Sequence, residues 1–381
     1  MKNHRYLRNA SWIKLAALLI LAALIVPLIA AAFGFAPAET GAALAVAGSI
    51  TMLDLSKAND SDVVKPIVEE AVGAFPEVST IAANQLGAGE LSYQTLIRDG
   101  YPSVSFHDMN AGLTASKSKT RLERFECFPF GGRVQAAKHA ADNWKRGGAS
   151  GYFSFEALGV MKAAMFAMAK QIWYGRATDA KGFPGLKNFT AFGTTVTDPI
   201  TGKTYSLAIN ATGTTANTGS SAYLVVSNAD NVELQFGTGS VFDLPEPRIG
   251  DYVDPNDSNK TIEGYISVLQ GFAGLQTPNV HCVRRICNLT DDSGKGMTDA
   301  LLAKALKEFP SGVRPTAIYM STFQRYKLQI SRSVVLNGNG NQRPDQPAVA
   351  PVPTDYDGIP IYATDAIGDT DAIEAAALSE E

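Results

Sequence analysis

The sequence predicts an α+β protein that carries appendages its own body does not cover. Three observations point there: a composition with 45% hydrophobic and 18% charged residues, punctuated by 34 Gly and 19 Pro, a period-two stretch over residues 91–130, and a helical period over 154–174. At 381 residues the chain has room for two or three compact substructures and can bury a core.

The N-terminal 51 residues stand apart. Lys2, Arg5, Arg8 and Lys14 precede an unbroken apolar run from Leu15 to Phe33, long enough to cross a bilayer. Pro37, directly after the small residues, is a poor first residue of a cleaved chain. Three readings stay open: an export or anchor segment, an upstream stretch with Met52 as the working start, and an extension removed or buried on assembly. Membrane contact is expected only if the first holds.

Asp60, Ser61 and Asp62 offer N-cap oxygens and Pro66 suits a first helical turn, so "DSDVVKPIVEEAV" reads as a short amphipathic arm helix ending at Gly73 and Pro76. From Leu91 to Phe130 the alternation predicts a long β-hairpin, with Val104 and Phe106 on one face and a polar connection "HDMNAGLTASKSKT". Charges on both strands leave it little to bury by itself, and Pro129 belongs on an edge. Leu158, Met161, Met165, Met168 and Ile172 then predict one buried stripe on a long helix closed by Gly175.

Beyond "YGRATDAKGFPGL" the pattern turns to short strands. "SAYLVVSNADNVELQF" reads as a hairpin around Ser227 to Asn231, and residues 261–289 as two strands separated by Gly271 to Pro278. Thr298 caps a helix with Leu301, Leu302, Ala305, Leu306 and Phe309 on one face, and "PTAIYM" is a buried strand. Ser321 with Gln324 makes a capping-box pattern for a short helix bearing Phe323, Tyr326, Lys327 and Ile330. A Gly/Asn/Pro loop leads to a last strand, "GIPIYAT".

Charge and cysteines restrict function. A net charge of −4 gives no basic stripe of the kind that sequence-specific nucleic-acid binding uses. Arg121, Arg124, Arg133, Lys138, Lys145 and Arg146 form a basic stretch, while Asp365, Asp369, Asp371, Glu374, Glu380 and Glu381 make an acidic end; both read as solvated surface. Cys127, Cys282 and Cys287 cannot all pair, which fits a reducing compartment.

His281, Cys282 and Cys287 resemble part of a metal site, yet "HCVRRIC" is strand-like and lacks a fourth ligand, so a buried thiol pair is the expectation. The run from Asp254 imitates a calcium loop but puts Asn259 where Gly is needed and Tyr265 at position twelve. No phosphate loop, dinucleotide fingerprint, Ser elbow or HExxH occurs, and no catalytic residue, cofactor or metal is expected.

Taken in order, "MLDLSKANDSDVVKPIVEEAVGAFPEVSTIAANQL", "SYQTLIRDGYPSVSFHDMNAG", "LGVMKAAMFAMAKQIWYG" with "KGFPGL", "SSAYLVVSNADNVELQF", "PTAIYMSTFQRYKLQ" and "DYDGIPIYATDAI" resemble the Hong Kong 97-type major capsid family of tailed phages. The likeness runs from Met52 to Asp369, and the apolar first 50 residues depart from it. It implies an arm over 52–88, an extended loop over 89–131, a peripheral domain with a spine helix over 132–186 and 255–292, an axial domain over 187–254 and 293–370, and an acidic tail over 371–381. It also implies a homo-oligomeric shell of pentamers and hexamers, portal and scaffold or decoration partners, and DNA enclosed without sequence recognition, in a virion assembled in the host cytoplasm. Arg98, Lys117, Lys119, Arg121 and Arg124 are the expected intersubunit contacts. Two rivals stay open: an exported, membrane-anchored β-rich protein and an encapsulin-like cargo shell.

Overall fold

A computed structural model describes residues 73–374 apart from 88, 238–243, 255–256 and 338–348. The apolar segment 1–51, the arm helix expected over 60–72, most of the Gly/Asn/Pro loop and the tail from 375 lie outside the described residues.

After a helical turn at Glu77–Thr80, the first strands are β1 (Ala82–Gln85), β2 (Ser92–Gly100), β3 (Lys119–Glu126) and β4 (Phe128–Ala137), followed by the long helix α1 (Gly148–Tyr174). Short strands come next: β5 (Thr195–Thr197), β6 (Thr204–Ser206), β7 (Ala208–Asn210), β8 (Ser220–Val225) and β9 (Glu233–Phe236). Then β10 (Arg248–Asp254) pairs with the 20-residue β11 (Asp257–Gln276), and β12 (Val283–Leu289) precedes α2 (Asp299–Lys307). The chain closes through β13 (Ala317–Met320), α3 (Thr322–Asn337), β14 (Asp355–Tyr356) and β15 (Ile359–Ala363).

Two main sheets result. One is five-stranded, ordered β1-β9-β11-β10 with β4 on the other side of β11; the second is six-stranded, ordered β14-β15-β13-β8-β12-β7. The second sheet draws together strands from the stretches 187–254, 255–292 and 293–370. Every residue of β8, β12 and β13 is buried, as expected of strands inside a sheet covered on both faces. The largest core joins the sheets through the C-terminal half of α1, where Met168, Ile172 and Trp173 meet Tyr223, Val225, Leu234, Leu275 and Tyr319. A second core lies between the six-stranded sheet and α2.

Several expectations hold. Gly175, at φ 57°, ends α1, and Thr298 Oγ1 accepts from Leu301 N at 3.3 Å to cap α2. Ser321 Oγ accepts from Gln324 N at 3.2 Å, and Pro129 sits on β4, which pairs only with β11 among the described strands.

Others are corrected. The hairpin's ladder stops at Gly100↔Lys119, so Val104 and Phe106 lie in an irregular tip rather than on a strand face; Pro102 has no N–H to extend the ladder. β8 and β9 are not a hairpin: they enter different sheets and meet only at a Ser227↔Val232 bridge. An all-buried β8 demands a partner on each side, and β12 and β13 supply them.

β11 runs through Gly271 and Gly274, where strand termination was expected. A Cβ at Gly274 would lie 2.6 Å from the Glu126 carbonyl oxygen, so glycine there marks close backbone approach rather than a turn. α1 begins at Gly148, six residues before the predicted Ser154, and only Met168 and Ile172 of its expected stripe are buried. Among the described residues of α3 the buried positions are Gln324, Leu328 and Ser333, while Tyr326 is exposed. The cap turns Gln324 inward, where its Oε1 accepts from Met297 N at 3.1 Å.

Candidate assembly surfaces

β2 and β3 form a two-stranded sheet of their own. A lone pair of strands is marginal in water, and the root of this one is tied to the body. Cys127 Sγ lies 3.6 Å from the Gln235 carbonyl oxygen on β9, and Gly274 and Gly237 give the room for Glu126 and Leu91 to approach. The far end has no such cover. Val104, Phe106 and Met109 are 94–108% exposed and Leu113 is 70% exposed, although Ser116 Oγ closes the tip by accepting from Ser103 N at 3.0 Å.

Four large apolar side chains stand exposed on this one tip, which marks it as a candidate contact surface. Sequence analysis put Val104 and Phe106 on a strand face by their two-residue spacing, and the polar wording of the connection hid Met109 and Leu113.

The five expected contact residues all lie on this hairpin. Arg121 is paired with Asp99 at 3.1 Å and Glu123 at 3.2 Å, and Arg124 with Glu126 at 3.3 Å, so both already hold carboxylates on their own chain. The Arg98 guanidinium lies 5.8 Å from the centre of the Tyr101 ring. Lys117 and Lys119 are exposed and have no ion pair among the described residues.

Residues 73–87 of the expected arm pack against their own chain. Ala74 N donates to Asp365 Oδ2 at 2.9 Å, Phe75 lies 5.3 Å from Phe166, and β1 runs parallel to β9. Glu77 is fully buried: its Oε1 accepts from Trp173 Nε1 at 3.1 Å and Thr364 Oγ1 at 2.8 Å, while Oε2 has no hydrogen-bond partner among the described residues. Burial pushes its carboxyl above the ordinary value of 4.5, and Asp365 adds to the rise against the bonds from Trp173 and Thr364.

A carboxyl raised in the folded state binds its proton more tightly there, so its contribution is fully present below 4.5 and is lost as pH climbs through the folded value. Glu77→Gln keeps an acceptor for both bonds and removes the charge. Its unfolding midpoint is therefore expected to exceed that of the unsubstituted chain by a margin that grows as pH rises from 4.5 through the raised folded value and levels off above it. Thermal melts of both chains across that range check this, and a constant margin contradicts it.

The acidic end is not the free surface its sequence implied. Asp369 Oδ1 accepts from Ser321 Oγ at 2.5 Å, Asp371 lies 3.5 Å from Lys187, and Glu374 accepts from the buried Arg285 at 2.8 and 2.9 Å. Glu380 and Glu381 lie outside the described residues. Single-residue charge gave no hint of this, because the partners are more than forty positions away.

Cys282, just before β12, and Cys287, within it, are buried, and burial pushes their thiols up to about 12 and about 11. The Nδ1 of His281 lies 3.1 Å from the Arg284 guanidinium, which stacks on Phe309. Among the described residues no group of three His, Cys, Asp or Glu side chains is placed to hold a metal, and no helix is long and apolar enough to cross a membrane.

The fold is similar to that of a chain in the structure of bacteriophage Epsilon15, with a TM-score of 0.55, 16% identity, and coverage of 85% of this chain and 96% of that one. The capsid of bacteriophage JBD30 matches at a TM-score of 0.44 and 12% identity, over 83% of this chain and 99% of that one. No curated protein matches. The rival readings, an exported anchored protein and an encapsulin-like shell, gain no support.

The model of the family described as "Major capsid protein GP7" matches residues 68–374. With the Hong Kong 97-like fold and a family match over most of its length, the chain belongs to the major capsid protein GP7 family and is a capsid shell protein.

Proposed function

We propose that this chain is the coat subunit of a tailed double-stranded DNA phage head, closing with copies of itself as pentamers and hexamers in the host cytoplasm. The shell encloses DNA without reading its sequence, meets a portal and scaffold or decoration proteins, and performs no catalysis. One observation carries the reading: the extended hairpin ends in Val104, Phe106, Met109 and Leu113, apolar and without cover among the described residues. Such a tip gains burial only from a neighbour, which ties its stability to assembly.

In this reading the five-stranded sheet with α1 serves as the peripheral domain and the six-stranded sheet with α2 and α3 as the axial domain. Lys117 and Lys119, at the tip's exit, meet carboxylates of the adjacent subunit. Arg98, Arg121 and Arg124 stiffen the hairpin and contribute charge at its rim, where pairs are individually worth at most about 1 kcal/mol but act in every copy.

Reversing Arg121 and Arg124 together to Glu breaks three in-hairpin pairs and leaves an acidic rod with Asp99, Glu123 and Glu126. The variant is expected to give soluble subunits and no shells at low ionic strength, with shells partly restored by salt as the repulsion is screened. Sedimentation and negative-stain microscopy read the result, and unimpaired assembly at low salt contradicts the role given to these residues.

A further inference from the structure

β12 breaks its alternation at one place. Its register against β8 shifts between Ile286 and Leu289, and Asn288 takes a left-handed φ of 56°. Arg285 and Asn288, three positions apart, would face opposite sides of a regular strand. The shift brings both to one residue, Glu374.

Their contacts are complementary. The Arg285 guanidinium, 2% exposed, donates to both carboxylate oxygens of Glu374 at 2.8 and 2.9 Å, while Ser221 Oγ accepts from its Nε and Nη2 at 3.0 and 2.9 Å and fixes its plane. Asn288 Nδ2 donates to the Glu374 carbonyl oxygen and Asn288 Oδ1 accepts from Glu374 N, both at 2.8 Å. One side chain meets the carboxylate, and the other meets the backbone of the same residue.

Lys187 Nζ adds a second cation 3.4 Å from the Glu374 carboxylate. Burial alone would raise this carboxyl, but Arg285 and Lys187 outweigh it and hold the group below its ordinary value of 4.5. The surroundings therefore favour the ionised form.

Glu374 belongs to a strap, residues 368–374, that bridges the end of α1 and the six-stranded sheet. Gly368 N donates to Tyr174 Oη at 2.7 Å, and the Gly368 carbonyl accepts from Ser220 Oγ at 2.9 Å. Asp371 and Gly219 exchange backbone hydrogen bonds at 2.8 and 3.0 Å. Apart from a 3.5 Å pair between Asp371 and Lys187, these contacts are neutral, so the bidentate pair at Glu374 is the strong one.

We propose that Arg285, Asn288, Ser221 and Lys187 form a carboxylate-binding site that the chain fills with its own Glu374, and that this contact holds the strap closed over the six-stranded sheet. Withdrawing the carboxylate leaves a buried guanidinium without a counter-charge, which costs far more than losing a surface pair. The site belongs to the single chain, so free subunits carry it whether or not they assemble.

Glu374→Ala deletes a fragment of the size and charge of acetate. In soluble full-length subunits it is expected to lower the melting temperature and to speed amide exchange of residues 371–374 at least about tenfold, with exchange in the buried β13 unchanged. Sodium acetate is expected to reverse both effects in the variant and to leave the unsubstituted chain as it was. Sodium chloride at equal ionic strength, and neutral acetamide of the same shape, are expected to reverse neither.

No rescue by acetate overturns the proposal, and so does equal rescue by acetate and acetamide. If Glu374→Ala folds in none of these solutions, Glu374→Gln, which keeps the length and an acceptor but not the charge, is read by amide exchange. Faster exchange confined to the strap supports the site, and unchanged exchange overturns it.

Discussion

Phe106→Asp combined with Met109→Asp is expected to yield folded, soluble subunits that form no shells at any salt concentration. Both side chains are essentially fully exposed in the isolated chain, so charging them removes no intrachain packing, and the melting temperature of the free subunit should stay within about a degree. Burying a Phe or Met at an interface contributes on the order of 2 kcal/mol each. Losing both raises the concentration needed for assembly roughly a thousandfold, at about 1.4 kcal/mol per factor of ten. Salt offers no rescue because the lost term is apolar, which separates this variant from the Arg121/Arg124 reversal. Normal particles from the double variant would show that the tip is not an assembly contact.

The second large effect is on the fold itself. Trp173 lies at the point where α1, the six-stranded sheet and the arm root converge: its ring centre is 4.8 Å from that of Tyr223 and 5.1 Å from that of Tyr319, and its Nε1 donates to Glu77. It is completely buried. Trp173→Ala leaves a cavity and strips Glu77 of one of its two donors, so a loss of about 3–5 kcal/mol in unfolding free energy is expected. That is a large share of the roughly 5–15 kcal/mol that holds a typical domain together. Urea unfolding of the soluble subunit measures it; a loss under about 1 kcal/mol would mean the three elements are held together elsewhere. Trp173→Phe, which keeps most of the ring and loses the N–H, should fall between.

The two variants probe different physics, and the sequence revealed them unequally. Local signals were readable where a single segment decides its own state. Thr298 and Ser321 are caps because their hydroxyls meet backbone N–H groups three residues on, and Gly175 ends α1 because it alone there reaches a positive φ without a Cβ penalty. The projecting hairpin was legible from charge at positions that a core strand would bury. Its tip was not, because Val104 and Phe106 looked like one face of a strand while Met109 and Leu113 looked like polar loop.

Where partners are distant, local pattern misled. "SAYLVVSNADNVELQF" has the form of a hairpin, yet the strands of two sheets compete for it and win, since β8 is buried on both faces. Gly271 and Gly274 resemble a turn, and only the Glu126 carbonyl pressed against Gly274 explains why a strand needs glycine there. Arg285 in a fully buried strand had no reading until Glu374, 89 positions on, supplied its counter-charge. The α1 stripe shows the converse: its period was read correctly, but periodicity says that a face is apolar and not what covers it.

Tryptic cleavage at Lys117 and Lys119, followed in free subunits and in particles from the same preparation, tests most directly whether self-association is what covers the hairpin. Both lysines stand exposed beside the tip in the single chain. Coverage by a neighbouring subunit predicts rapid cleavage of free subunits and cleavage at least a hundredfold slower in particles, while equal rates in the two would contradict it.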